Sequence, residues 1–163
     1  MLASTKCWPK PATVRKPCAL QRTGVWVGDH DLYAMLADAA ARQRDEAALR
    51  QYAPLAEETA LRYGHRLYQA IAHRAWGVLL RLAGEHIGAE TRLNLALELF
   101  QKLGVGWQVG QTLVELGELA LARAEVNAAH EQFSRAITAL ETMGAAPDAA
   151  RTRARVEALG PQT

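Results

Sequence analysis

The stretch GVGWQVGQTLVELGELALARAEVNAAHEQFSRAITALETMG, Gly104 to Gly144, decides the fold. Two glycines bound it, and a third stands at Gly64, so positions 64, 104 and 144 share an interval of 40. Each glycine follows a bulky apolar residue, namely Tyr63, Leu103 and Met143. Inside the stretch, Leu113, Leu116, Ala120 and Leu121 recur at helical spacing, and Ala129, Phe133, Ala136, Ile137 and Leu140 do so again. It therefore reads as helix, short turn, helix. Glycine suits the left-handed position just past a helix end, where a side chain is penalised.

The same register extends outward. Trp76 and Gly77 correspond to Leu116 and Gly117, and to Leu36 and Ala37. Ala89 corresponds to Ala129, and Leu93 to Phe133. Ala56, Ala96 and Ala136 align, as do Ala60, Phe100 and Leu140. Large positions stay apolar and small positions stay small, the mark of a helical repeat array. No long run alternates apolar with polar residues, and Ala, Leu, Glu, Arg and Gln favour helix. Helices are expected at 30–42, 45–63, 66–82, 86–103, 107–123, 127–143 and 147–159, with a kink or break at Pro54. Gly77 and Gly117 fall inside helices, where glycine costs roughly 1 kcal/mol against alanine. Close approach by the second helix of the hairpin, opposite Ala89 and Ala129, is the expected reason.

The run Leu116, Gly117, Ala120, Ala129, Phe133, Ala136 resembles the tetratricopeptide (TPR) signature of small and large positions. Trp76, Gly77, Leu80, Ala89, Leu93, Ala96 repeat it, and Leu36, Ala37, Ala40, Leu49, Ala53, Ala56 give a degenerate copy. The interval is longer than the usual 34 residues, and glycine replaces the helix-ending proline. This form resembles the arrays at the C-terminal end of large bacterial signalling ATPases, transcriptional activators and nucleotide-cyclase-linked regulators. The resemblance covers about residues 29–159. It implies an all-α, right-handed α-solenoid of three helix hairpins plus a closing helix. It also implies a concave groove lined by the first helix of each hairpin. The positions so implied are Asp31, Ala34, Asp38 and Ala41, then Ile71, Arg74, Val78 and Arg81, then Gln111, Val114, Glu118 and Leu121. Such a groove, acidic at one end and basic in the middle, suits a protein or peptide segment. Within it, Arg74 and Arg81 are expected to be exposed and to hold an acidic segment.

Residues 1–28 differ from the rest. Lys6, Lys10, Arg15, Lys16 and Arg22 face no acid there, whereas the whole chain carries only +2. Pro9, Pro11 and Pro17 exclude a long helix. A disordered basic tail, or an artefact of where the chain begins, is the expectation. A nucleic-acid or lipid-binding arm and an Arg-rich targeting peptide stay open as alternatives. The helical repeat domain is expected over 29–163. Cys7 and Cys18 match no zinc spacing, and without a signal peptide they point to reduced thiols in the cytoplasm.

Other features carry little chemistry. Gly104, Gly106 and Gly110 miss the dinucleotide spacing by one residue and follow a helix rather than a strand. His65 and His73 are too far apart for a helical metal pair, and no cofactor or metal is expected. Arg151, Arg153 and Arg155 read as the solvated outer face of a closing helix. No membrane span is present in the pattern, and no catalytic constellation appears, so the chain is not expected to be an enzyme. A protein-interaction scaffold within a bacterial signalling or transcriptional regulator is the leading expectation. A small-molecule or nucleic-acid binding effector domain is the alternative.

Overall fold

The computed structural model describes residues 28–160. The expectation for the basic tail, with its two cysteines, therefore lies outside the described residues apart from Gly28. Among the described residues there are seven helices and no strand. They are α1 (Asp29–Gln43), α2 (Glu46–Arg62), α3 (Arg66–Leu82), α4 (His86–Lys102), α5 (Gly106–Ala122), α6 (Val126–Thr142) and α7 (Ala146–Leu159). Each helix packs on the next, and α1 and α5 also touch α3. The fold is an all-α, solenoid-like stack in which the odd-numbered helices form one layer and the even-numbered helices the other.

All six corners share one hydrogen-bond pattern. The N–H of the second residue past each helix's last carbonyls donates five residues back: Asp45 to Ala40, His65 to Ala60, Glu85 to Leu80, Val105 to Phe100, Glu125 to Ala120 and Ala145 to Leu140, at 2.8–3.1 Å. This closure requires a left-handed residue at the corner. Gly64, Gly104 and Gly144 supply it between hairpins, with φ of 63°, 68° and 68°. Within the hairpins the left-handed residues are Arg44 (φ 54°), Gly84 (φ 78°) and Ala124 (φ 61°).

Hairpins pack by trading volume across the helix pair. A Cβ on Gly117 would meet the Phe133 ring at 2.5 Å, and one on Gly77 would meet Leu93 Cγ at 2.6 Å. The mid-helix glycines therefore seat a large side chain, Phe133 or Leu93, rather than facing Ala129 or Ala89 as the sequence led us to expect. Ala89 does contribute its backbone oxygen, 3.3 Å from that Gly77 Cβ. At the matching places of the first hairpin stand Ala37 and Ala53, both fully buried. The expected break at Pro54 does not occur: α2 runs unbroken through a half-buried proline. Buried alanines, among them Ala56, Ala75, Ala96 and Ala136, let the helices approach closely throughout.

Candidate binding cleft

The residues expected to line a groove fall into two groups. Arg74 is 2% exposed, and Ile71, Val78, Ala34 and Ala41 are buried with it. Arg74 reaches from α3 to the Asp38 carboxylate on α1, and its Nη1 donates to the Gln108 carbonyl on α5 at 3.3 Å. Its guanidinium also lies 5.2 Å from the Phe100 ring centroid. Burial pushes the Arg74 pKa down, and the Asp38 charge and hydrogen bond oppose that shift. Arg81 pairs with Glu115 on α5 at 2.8 Å, with both side chains largely buried. Asp31 accepts a hydrogen bond from the Tyr68 hydroxyl. That bond holds the Asp31 carboxyl below its usual range and raises the Tyr68 hydroxyl.

The expectation that Arg74 and Arg81 are exposed charges is therefore corrected. They are buried rivets between successive odd-numbered helices. Two isolated charges in that layer would be costly, and each instead meets a carboxylate supplied from the neighbouring hairpin. Further cross-hairpin links join α2 to α4 and the α5–α6 corner to α4. Arg92 on α4 donates to Glu57 on α2 and sits 5.6 Å from the Trp76 ring centroid. Arg123 donates to Glu90 at 2.8 Å.

Gln111, Val114 and Glu118 do line an open cleft of about 700 Å³, together with Arg42, Arg44, Trp107, Glu115, Asp148, Arg151, Thr152 and Arg155. Its walls are the α1–α2 corner, α5 and α7. Glu118, 6% exposed, accepts from Arg155 Nε and Nη2 at 2.7–2.9 Å and lies 3.1 Å from Arg44 Nη2. Because the first corner reaches α5 directly, past α3, the stack curves with the odd-numbered helices inside. Trp107 donates from Nε1 to Asp148 at 3.0 Å, which fixes its ring across the α5–α7 step.

The closing-helix arginines are solvent-exposed as expected, but they do not share one outer face. Arg155 and Arg151 face this cleft, while Arg153 pairs with Glu141 on α6. The sequence reading passed over Arg42, Arg44 and Trp107 as cleft residues. One signal for Arg44 was available: it occupies the corner position where Gly84 and Ala124 stand in the other hairpins. His130 is buried and His73 half-buried. Among the described residues, no group of three His, Cys, Asp or Glu side chains is placed to hold a metal ion. No helix there is long and apolar enough to cross a membrane. No protein-family model, no curated protein and no solved structure matches the chain.

Proposed function

We propose that the chain is a non-catalytic protein-interaction scaffold, a TPR-like array whose partner lies in the cleft between the α1–α2 corner, α5 and α7. The observation that carries this reading is the cleft itself. It is open, about 700 Å³, and lined by arginines, carboxylates, a tryptophan and a glutamine. Such mixed, partly aromatic walls suit an extended segment that offers both charge and apolar side chains. The TPR-like reading draws support from helix starts at Glu46, His86 and Val126, and again at Arg66, Gly106 and Ala146. A place in a bacterial signalling or transcriptional regulator, in the cytoplasm, goes with that resemblance.

The test places a photoreactive amino acid at Gln111, inside the cleft, or at Glu131, exposed on α6. In cells expressing the chain, Gln111 should crosslink a partner protein that Glu131 does not. Crosslinks formed only from Glu131 would place the interaction on the other layer and overturn the proposal.

A further inference from the structure

The rim of this cleft holds two guanidiniums that lean on carboxylates already neutralised by another arginine. Asp38 accepts a hydrogen bond from buried Arg74, and Arg42 Nε stands 3.4 Å from its other oxygen. Glu118 accepts three hydrogen bonds from Arg155, and Arg44 stands beside it as a second cation at 3.1 Å. Counted over the whole cleft and its supports, Arg42, Arg44, Arg74, Arg81, Arg151 and Arg155 face only Asp38, Glu115, Glu118 and Asp148. The site is therefore electropositive, and the surplus sits at Arg42 and Arg44, about half exposed at 55% and 42%. Arg42 also stands 5.9 Å from the Trp107 ring centroid, so cation and aromatic surface are presented together.

Arg44 has a second peculiarity. Its backbone is left-handed, at φ 54°, in a corner that Gly84 fills without penalty two helices later. The two corners close with the same hydrogen bonds, so the backbone makes no demand for arginine. Ala124 bears the same cost at the third corner with no side chain to use it, so strain alone assigns no role. The role of Arg44 must come from where its guanidinium stands, on the cleft rim. Neutralising Glu118 is not that role, because Arg155 meets it with two nitrogens.

We propose that Arg42 and Arg44, with Trp107 beneath Arg42, form the receptor for carboxylates of an acidic protein segment bound in the cleft. This rests on the cleft being the partner-binding surface and specifies the chemistry of that partner. An incoming carboxylate takes the donors that Arg42 and Arg44 turn toward Asp38 and Glu118. Those two acids keep their hydrogen bonds to Arg74 and Arg155, so no buried charge is stranded when the ligand binds.

The test uses the full chain and a fluorescein-labelled octaglutamate peptide, read by anisotropy. The double variant Arg42→Gln, Arg44→Gly should bind about tenfold more weakly, the loss expected for two charge-assisted contacts at a partly exposed rim. Residues 1–28 are basic and attract the same peptide, so a charge-matched control is needed. Arg62→Gln, Arg135→Gln removes two exposed cations elsewhere and should bind as wild type does. Thermal melting separates binding from folding, because glycine fits the left-handed corner and Arg44→Gly alone should not lower Tm. Unchanged affinity in the rim variant, or equal loss in the control, overturns the acidic-segment proposal. A partner crosslinked at Gln111 beside such a result leaves the scaffold reading standing. Octaglutamate binding with no Gln111 crosslink sinks the scaffold reading alone.

Discussion

At the scale of single residues, glycine and arginine set the terms of packing. Gly117 seats the fully buried Phe133 ring, so replacing it sets two effects against each other. Alanine is the better helix former by roughly 1 kcal/mol, but its Cβ would stand 2.5 Å from the ring. Overpacking of a fixed aromatic costs about 1–3 kcal/mol, so Gly117→Ala should lower stability in chemical denaturation. Gly88 is the contrast. Its Cβ would meet only the end of half-buried Leu80 at 3.3 Å, so Gly88→Ala should be neutral or stabilise by up to roughly 1 kcal/mol. Equal destabilisation by both changes would show that close approach is not what Gly117 provides. His73 gives a prediction of another kind. Burial, and then the charge of Arg92 whose Nη1 lies 2.9 Å from its Nδ1, hold it below the usual histidine value against the pull of Glu57. The fold therefore favours the neutral ring. The stability this confers is complete above the unfolded value of about 6.5 and is lost as pH falls through the lowered folded value. Between about pH 7 and about pH 5, His73→Gln should lose less Tm than wild type; an identical loss in both proteins would refute the assignment. The period of small and large side chains made Gly77 and Gly117 legible as packing points. Their partners were not legible, because an interval of matching residues gives register along the chain but not which side chain enters which hole.

At the scale of elements, corners rather than helix caps define where each helix stops. Only Asp45 among the residues preceding α2–α7 caps its helix by a side-chain bond, accepting from the Ala48 N–H at 3.0 Å. The left-handed corner residue recurs at every turn instead. This is why helix ends were readable wherever that residue is glycine, and less marked at Arg44 and Ala124. Ala124 pays the left-handed penalty with no side chain that could use the position. Ala124→Gly should then stabilise the third hairpin by up to about 1 kcal/mol, the steric relief exceeding the added freedom of the unfolded chain. Gly84→Ala should cost a similar amount. Melting temperatures of the two variants check both signs, and a lower Tm for Ala124→Gly would contradict the corner argument. Pro54 illustrates the reverse. Proline predicts interruption from local chemistry alone, yet packing on both flanks of α2 holds the helix through it.

At the scale of the whole molecule, successive hairpins are joined by ion pairs whose partners lie 34–37 residues apart, such as Arg74–Asp38, Arg81–Glu115 and Arg155–Glu118. Helical periodicity placed all six residues on the odd-numbered helices. It gave no sign that the stacked helices bury the first two pairs while Arg155 stays about half exposed, since burial depends on the step from one hairpin to the next. For the same reason the cleft was half legible: Gln111 and Glu118 could be named, but the curvature that brings Arg44 and Arg155 to them could not. Removing one member of a buried pair strands the other. Asp38→Ala leaves Arg74 without its carboxylate and should cost about 3–5 kcal/mol in urea unfolding. A change within about half a kcal/mol, the range of surface substitutions, would mean that solvent reaches Arg74 readily.

The contact from Arg44 to Glu118 also changes how the stack responds to force. Apart from the adjacent Arg42–Trp107 contact, the ion pairs between hairpins named above join neighbouring units and lengthen only if those units separate. Arg44 crosses the inside of the curve, as a bowstring crosses a bow. Tension applied through Gly28 and Gly160 would part this chord first, while the helices and the buried rivets stay intact. The array would extend by straightening, and on release the chord could close again without refolding any helix.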